Sequence, residues 1–371
     1  MLEQLTAIDI FSGVGGLSLG AARAGLNLAL AIERDPHALA AHKKNFRCTQ
    51  HLSNDVAHLD AQSLLEAVGN AAPLVLLGGP PCQGFSTMGH RCATDPRNTL
   101  FLKFFKLVRE LQPVLFLAEN VPGILHPDND ELREMALGLV REDYRVLPPV
   151  RVAANDFGTA TTRTRYLFIG YKTSHFDAFD GTALQSNAEP VSVADALWGL
   201  PNRILASWQS EEKSWRKVVY PTSDSPFWQR VRGRVPDGMG DPEAIRCLQE
   251  KSLVSGFLGT KHTPKVKARF ARVEQGKTDR VAKARRLEWD GLCPTLRAGT
   301  GADRGSYQAV RPIHPSAHRV ITPREAARLQ GFPDWFQFSP TKWHSFRQIG
   351  NSVCPLLAET VFREILNRRK R

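Results

Sequence analysis

A cysteine lies on a rigid turn at the end of a strand-like run, where a thiol is presented rather than packed. Cys82 belongs to the stretch 78–86, GGPPCQGFS, which follows the apolar run 73–79, PLVLLGG. The run is typical of a buried strand, and the two prolines restrict the turn that follows it. A cysteine kept for packing would lie inside the strand or on a helix face. The placement therefore predicts a nucleophilic thiol.

Polar side chains also lie at the end of one later strand-like run and on a further strand-like segment. Glu119 belongs to AENV (118–121), and Arg163 and Arg165 lie two apart in RTR. A buried carboxyl can keep a proton for donation, and arginines two apart in a strand point to one face. The sequence therefore offers a candidate acid and a pair of cations that share one face. Taken alone, the two arginines are more typical of a surface strand.

A glycine-rich turn follows the first strand-like run and opens a helix. It reads DIFSGVGG (9–16), and the glycines that allow a tight turn and a close approach of a ligand are Gly13, Gly15 and Gly16. The spacing is neither the G-x-G-x-x-G of dinucleotide folds nor a P-loop. Glu33 can accept hydrogen bonds from both hydroxyls of a ribose, and Asp55 can accept one from an adenine amino group. The sequence thus offers contacts for a ribose and an adenine but no loop that binds phosphates. This combination favours S-adenosylmethionine over NAD.

Residues 5–170 alternate between strand-like and helical runs. The strand-like runs are LTAIDIF, LNLALAIE, PLVLLGG, PVLFLAENV and RYLFIGY, and the helical runs are LSLGAARAGL, PHALAAHKKNF and NTLFLKFFKLVRELQP. This alternation predicts an α/β fold with a mostly parallel, Rossmann-like sheet covered on both faces. Ligands bind such sheets at the carboxyl ends of the strands, so we expect the site there.

The alternation weakens in the second half of the chain. Residues 172–320 are rich in proline and basic residues and predict a smaller, irregular second domain without a repeat. Helical signals return in TPREAARLQGF, where Thr322 and Glu325 have the spacing of a capping box. The final run, CPLLAETVFREILNRR, predicts an amphipathic helix that returns to the first domain. We predict a catalytic, cofactor-binding domain formed by 1–172 and 345–371, and a second domain formed by 173–344.

The positive charge of the chain is concentrated in its second half. The net charge is +12, with −1 over residues 1–171, +8 over 172–320 and +5 over 321–371. Segment 261–286 holds 10 basic and 2 acidic residues. A localised basic field suits a phosphate backbone, although a basic run is as often a solvated surface. The candidate nucleic-acid contacts in this segment are Lys265, Lys267, Arg269 and Arg272.

Length and composition limit the class of protein. With 371 residues, 42% of them hydrophobic and 23% charged, the chain should fold around a large core with a smaller second domain. The N-terminus lacks the pattern of a signal peptide and no apolar run is long enough to span a membrane, so we expect a cytoplasmic protein. The six cysteines form no C-x-x-C pair, so we expect neither a metal site nor disulfides.

Six motifs occur in order along the chain: DIFSGVGG, PPCQGFS, AENV, RTR, REAARLQGF and QIGNSV. Together they resemble the ordered motif set of the cytosine-5 DNA methyltransferases, over residues 1–171 and about 320–371. The resemblance implies an S-adenosylmethionine-dependent enzyme in which the thiolate of Cys82 adds to C6 of a flipped cytosine. Addition makes C5 electron-rich, and C5 attacks the methyl group. Glu119 would relieve the charge that develops at N3 of the ring.

The resemblance also implies roles for residues that carry little signal alone. Arg163 and Arg165 would contact the flipped base and hold the carboxylate or thiolate. The implied cofactor contacts are Phe11 beside the adenine, Leu17 and Pro81 nearby, and Asn351, Ser352 and Val353 at the methionine end. In the loop 85–98, which closes over the substrate in the family, Ser86 and Arg97 would contact phosphate or base. Segment 173–344 would be the target-recognition domain.

Two positions depart from the family pattern. Thr161 stands two residues before Arg163, where the family usually has a glutamine, and this removes one expected base or backbone contact. Arg34 follows Glu33, where an aromatic or apolar residue often packs on the adenine. The aliphatic stem or guanidinium of Arg34 would have to stack there instead.

Other functions are compatible with parts of the pattern. A tRNA substrate would keep the chemistry, but the long basic segment 172–320 favours double-stranded DNA. A non-catalytic nucleic-acid-binding protein would not need Cys82, Glu119 and Asn351 together, and a nicotinamide-dependent oxidoreductase would leave PPCQGFS unexplained. By analogy with compact bacterial or phage modification enzymes, we expect a monomer in a restriction-modification system, with a cognate endonuclease as its partner.

Overall fold

The computed structural model describes residues 4–70, 73–81, 98–186, 188–233, 235–298 and 311–370. Its strands are β1 (Thr6–Ile10), β2 (Asn27–Ile32), β3 (Gln50–Leu52), β4 (Leu74–Gly78), β5 (Leu115–Asn120), β6 (Arg145–Val146), β7 (Val150–Ala153), β8 (Thr164–Tyr171), β9 (Arg216–Lys217) and β10 (Leu253–Val254). Its α-helices are α1 (Gly16–Arg23), α2 (Pro36–Asn45), α3 (Ala61–Ala67), α4 (Asn98–Leu111), α5 (Asp130–Gly138), α6 (Val193–Leu197), α7 (Pro226–Arg232), α8 (Pro242–Lys251), α9 (Pro264–Ala271), α10 (Pro323–Leu329), α11 (Lys342–Asn351) and α12 (Pro355–Leu366).

The central sheet has the strand order β3-β2-β1-β4-β5-β8-β6, and β7 also pairs with β8. Strands β1 to β5 pair in parallel, whereas β8 runs antiparallel to β5, β6 and β7. The predicted α/β fold with a mostly parallel sheet is therefore confirmed. Because β1 to β5 are parallel, their carboxyl ends meet at one edge of the sheet.

The direction of β8 decides what lies beside the end of β5. Tyr166 pairs with Asn120, and Leu167 pairs with Glu119. An antiparallel β8 therefore begins at the edge where β5 ends, which places the RTR motif next to AENV. The sequence predicts RYLFIGY as a strand, but apolar content does not reveal whether it runs up or down the sheet.

Side chains of the central strands alternate between two apolar cores, one on each face of the sheet. In β1, Ala7 belongs to one core and Ile8 to the other, and Val75 and Leu76 of β4 are divided in the same way. Helices α1 and α12 contribute to the first core, and α3 and α4 to the second. Burial on both faces explains why these strands read as continuous apolar runs.

The C-terminal segments return to the first domain. A Cβ on Gly20 of α1 would lie 2.3 Å from the Cβ of Ala358 in α12, so these helices are in close contact. Helix α10 begins with the predicted capping box between Thr322 and Glu325. Helix α11 is continuous across the boundary predicted at 345.

Within the described ranges, no helix is long and apolar enough to cross a membrane.

Candidate functional site

A cavity of about 280 Å³ opens at the carboxyl edge of the sheet. Most of the site residues predicted from the sequence line it together: Phe11, Gly13, Gly16, Leu17, Glu33, Asp55, Pro81, Glu119, Arg163, Arg165, Asn351, Ser352 and Val353. Cys82, Ser86 and Arg97 lie outside the described residues, and Pro81, which precedes the cysteine, lines the cavity. Segments at the carboxyl ends of β1 to β5, the start of β8 and α11 therefore converge on one site.

The glycine turn brings main chain close to the C-terminal segment. Gly13 and Gly15 have positive φ angles of 56° and 98°, and Phe11 has the same left-handed conformation with φ of 66°. A Cβ on Gly16 would lie 2.0 Å from Ser352 Oγ and 2.2 Å from the Val353 carbonyl oxygen, so only glycine fits there. Gly15, also predicted to bind the cofactor, is not among the lining residues. A Cβ added to Gly15 would instead lie 2.3 Å from the ring of Phe46.

The Glu33 carboxylate is fixed by main-chain donors at the end of β2. Its Oε2 accepts a hydrogen bond from Gly13 N at 2.9 Å, and its Oε1 accepts one from Asp35 N at 2.8 Å. Burial raises the pKa of Glu33, while these two main-chain donors act in the opposite direction. A carboxylate with both oxygens oriented in this way can receive two vicinal hydroxyls, as the sequence predicts.

Asp55 and Arg34 form an ion pair across the ends of β2 and β3. Asp55 accepts a hydrogen bond from Ala57 N at 3.0 Å and another from Arg34 Nη1 at 3.0 Å. The main-chain donor at Ala57, followed by Arg34, lowers the pKa of Asp55. Arg34 therefore takes a role that the sequence does not reveal: it orients the acid predicted to accept from adenine.

A buried acid and a buried arginine pair at the junction of β5 and β8. Arg165 Nε lies 2.5 Å from Glu119 Oε1, and each of the two side chains is 10% exposed. Asn120 donates from Nδ2 to the Pro80 carbonyl at 3.4 Å, which ties the end of β5 to the PPC turn. A carboxyl held in place by an arginine, beside the turn that leads to Cys82, is suited to hydrogen bonding with a polar ring.

Arg163 connects three segments of the chain. It is 2% exposed, and its Nη1 donates to the Gly350 carbonyl at 2.8 Å and to the Leu296 carbonyl at 3.4 Å. Arg163 thus holds the QIGNSV segment next to RTR, while Arg165 holds Glu119. The two arginines look equivalent in the sequence, but in the structure they have different partners.

Several lining residues were missed by the sequence analysis. Asp9 lies on β1 below the glycine turn, and His344 and Arg347 approach from α11. Arg347 pairs with Asp35 at 3.1 Å, and the ring of His344 stacks on His37 with centroids 3.5 Å apart. Asp9 opens the motif DIFSGVGG and was available to sequence reasoning, whereas the part of α11 that precedes QIGNSV carries no signal of its own.

The basic segment divides into exposed and internally paired cations. Lys265, Lys267 and Arg272 are exposed on or next to α9. Arg269 instead pairs with Asp279 at 2.7 Å, and the Asp279 side chain is 1% exposed. Arg286 is buried and donates to main-chain carbonyls. A count of basic residues thus overstates the charge available to a polyanion.

No group of three or more metal-ligating side chains occurs in the described ranges.

Comparison with known proteins identifies relatives that share nearly the whole chain. The sequence profile of the family described as "C-5 cytosine-specific DNA methylase" matches residues 5–367. The Type II methyltransferase M.XorII of Xanthomonas oryzae is 38% identical over 368 residues, covering 97% of this chain and 84% of M.XorII. An E. coli structure described as a candidate prophage DNA modification methyltransferase has a TM-score of 0.89 and 46% identity, covering 98% of this chain and 99% of that one.

A more distant neighbour shares the fold. The Dnmt2 methyltransferase of S. pombe has a TM-score of 0.64 and 16% identity, over 98% of this chain and 99% of that chain. The six ordered motifs, the α/β fold and the family match over residues 5–367 agree with one another. The chain therefore belongs to the C-5 cytosine-specific DNA methylases, and it is a methyltransferase of that family.

Proposed function

We propose that this enzyme transfers a methyl group from S-adenosylmethionine to C5 of a flipped cytosine in a specific sequence of double-stranded DNA, through a covalent adduct with Cys82. One observation carries the proposal: a single cavity is lined by the glycine turn, by Glu33 and Asn351, and by the Glu119–Arg165 pair. Pro81, which lines the cavity, immediately precedes Cys82 in the sequence.

The residues of the cavity fit S-adenosylmethionine. Glu33 is oriented for a ribose, Gly13 has open space where a Cβ would be, and the buried Oδ1 of Asp9 has no hydrogen-bond partner among the described residues. We assign adenine contacts to Phe11 and Asp55, and contacts to the methionine end to Asn351, Ser352 and Val353. When bound, the cofactor supplies an electrophilic methyl group on a sulfonium sulfur.

The chemistry begins at Cys82. Its thiolate adds to C6 of the cytosine, the electrons of the C5–C6 double bond move to C5, and C5 can then accept the methyl group. Glu119 holds a proton or hydrogen bond at N3 while negative charge builds on the ring, and Arg165 keeps Glu119 in place. A base then removes the proton from C5, the double bond re-forms, and the Cys82 sulfur leaves.

A stacked base is inaccessible to a thiolate, so the cytosine must leave the duplex. We propose that DNA lies between the catalytic domain, 1–172 with 345–371, and the target-recognition domain, 173–344. Lys265, Lys267 and Arg272 are exposed and suited to phosphate contacts. We also retain Ser86 and Arg97 as candidate contacts of the loop after the cysteine. The ion pair of Arg269 with Asp279 makes it the weakest of the basic candidates.

The relatives suggest a cellular role. M.XorII is named as a Type II methyltransferase, and the E. coli neighbour is described as a DNA modification enzyme. We propose that this chain is the modification enzyme of a restriction-modification system and protects DNA from an endonuclease that recognises the same sequence. We further propose that it acts as a monomer in the cytoplasm.

The decisive experiment is bisulfite sequencing of DNA from cells that express the wild-type chain or Cys82→Ala. We expect 5-methylcytosine in one sequence context with the wild-type enzyme and none with the variant, which should still bind the same DNA. Transfer RNA from the same cells provides the test of the rival substrate. Methylated DNA from the Cys82→Ala culture would refute the adduct mechanism, and methylated tRNA with unmodified DNA would refute the substrate.

A further inference from the structure

A chain of buried polar side chains runs from the cavity to the edge of the sheet. Ser18 Oγ lies 2.5 Å from Asp9 Oδ2 and 3.0 Å from His42 Nε2. His42 Nδ1 lies 2.8 Å from His51 Nε2. Asp9, Ser18 and His42 are each at most 1% exposed, whereas His51 on the edge strand β3 is half-buried. Four groups from β1, α1, α2 and β3 thus form one continuous hydrogen-bonded relay.

The inner end of this relay lies at the cofactor cavity. Asp9 lines the cavity, and its Oδ1 is buried without a hydrogen-bond partner among the described residues. A buried polar atom that lacks a partner costs free energy, so such atoms are most often explained by a ligand or by function. The other oxygen, Oδ2, is bonded to the relay. Asp9 is therefore the point where the relay meets a bound molecule.

The relay can hold its hydrogens in two complete arrangements. With Asp9 ionised, Ser18 donates to Asp9, His42 Nε2–H donates to Ser18, and His51 Nε2–H donates to His42. With Asp9 protonated, each of these hydrogen bonds is reversed. Conversion from the protonated to the ionised arrangement moves one proton across each contact and releases one proton from the other nitrogen of His51 to water. Each of the three hydrogen bonds of the relay is kept in both states.

The surroundings of Asp9 place its titration near neutral pH. Burial raises the pKa of Asp9 to about 7, with the Ser18 hydrogen bond acting downwards and the charge of Glu33 acting upwards. Burial and the neighbouring His51 hold the pKa of His42 well below its usual range, so His42 stays neutral. Lys43 faces the relay beside His51. The other charged groups that share its cavity are Arg34, Asp35, Asp55, Glu119, Arg163, Arg165 and Arg347.

We propose that Asp9 is a positioning residue that accepts a hydrogen bond from the ammonium group of the cofactor's methionine part, and that Ser18, His42 and His51 set its charge by passing a proton to and from water. The proposal rests on the proposed function, because it requires S-adenosylmethionine in this cavity. An ionised Asp9 attracts the ammonium group more strongly than a protonated one. Affinity should therefore rise with pH through about 7 and fall again only where the ammonium group of the cofactor loses its own proton.

The experiment measures the dissociation constant of S-adenosylmethionine from pH 5.5 to 9 by calorimetry. For the wild-type enzyme we expect roughly tenfold tighter binding above the midpoint than below it, the usual difference between a charged and a neutral hydrogen bond. Asp9→Asn, which resembles the protonated acid, should bind weakly and without this midpoint. Ser18→Ala removes a hydrogen bond to the ionised acid, so the midpoint should rise by about one pH unit.

Control variants separate the relay from general damage. Ser214 is also a buried serine, with a hydrogen bond to the Glu211 carbonyl at 2.7 Å, and Ser214→Ala should leave the midpoint unchanged. Glu33 also has a raised pKa, and its charge raises the pKa of Asp9, so Glu33→Gln should weaken binding and lower the midpoint without abolishing it. A midpoint that survives in Asp9→Asn and disappears in Glu33→Gln would overturn the proposal.

A second measurement needs no cofactor. Imidazole nitrogen NMR of the wild-type enzyme should show His42 with its proton on Nδ1 below pH 7 and on Nε2 above it. A single His42 tautomer throughout that range would overturn the relay even if binding depends on pH. The two failures are distinguishable: an enzyme that methylates cytosine but lacks the tautomer change refutes the relay alone, and one that binds no S-adenosylmethionine refutes the proposed function.

Discussion

Gly16 gives the sharpest test of how the cofactor cavity is built. Its Cβ position lies 2.2 Å from the Val353 carbonyl oxygen, whereas ordinary contact begins at 3.4 Å, so Gly16→Ala must push this main chain away by about 1 Å. Gly16 is the first residue of α1 and has no positive φ, so the alanine itself is not strained. The clash alone is expected to destabilise this packing by a free energy of about 1–3 kcal/mol.

The displaced segment carries Ser352 and Val353, which both line the cavity. We therefore expect the substitution to weaken cofactor binding. A cost of about 1–3 kcal/mol corresponds to a loss of roughly 5- to 150-fold in affinity for S-adenosylmethionine. Calorimetric titration measures this loss, and thermal unfolding reports any general damage. The matched control is Gly138→Ala in α5, whose added Cβ meets nothing within 4 Å. Wild-type affinity in Gly16→Ala would refute the argument.

Four further substitutions test other parts of the structure. Glu119→Gln should lower the rate of methyl transfer by about 10²- to 10⁴-fold in single-turnover assays while S-adenosylmethionine still binds normally. Lys267→Ala should weaken DNA binding and reduce the slope of log K against log salt by about 1, with no change in unfolding temperature. Arg269→Ala should instead destabilise the fold by about 3 kcal/mol, because it leaves the buried Asp279 charge without its partner; an unchanged denaturation midpoint would contradict the pairing. Thr322→Ala should cost about 1 kcal/mol in chemical denaturation, because the capping box of α10 is lost.

Local chain chemistry was enough to predict most elements of the first domain. PLVLLGG, PVLFLAENV and RYLFIGY form β4, β5 and β8, and the capping signal at Thr322 opens α10 as expected. These predictions depend on side-chain patterns within a few residues, which is the range over which apolar periodicity and capping act. The short helices α6 to α9 and the pair β9–β10 were not predicted, because their sequences lack a sustained period.

The sequence also placed the candidate site residues at strand ends, and a parallel sheet brings such ends together. It did not distinguish residues of one type by their partners. Arg163 and Arg165 look equivalent in RTR, yet one is bonded to Gly350 and the other pairs with Glu119. Arg269 looks equivalent to Lys267 but is paired internally. Partners far apart in sequence are fixed only when packing sets their distance.

The amino-acid sequence by itself determined the family, the order of the motifs, the mostly parallel sheet and the identity of the nucleophile proposed here. Only the tertiary structure decided that β8 is antiparallel, that Gly16 lies against Val353, and that Asp9, Ser18, His42 and His51 form one relay. The physical reason is the distance along the chain over which each kind of interaction acts. Strand and helix signals are local, whereas hydrogen bonds between buried groups on four different elements exist only after the core has excluded water and fixed their separations.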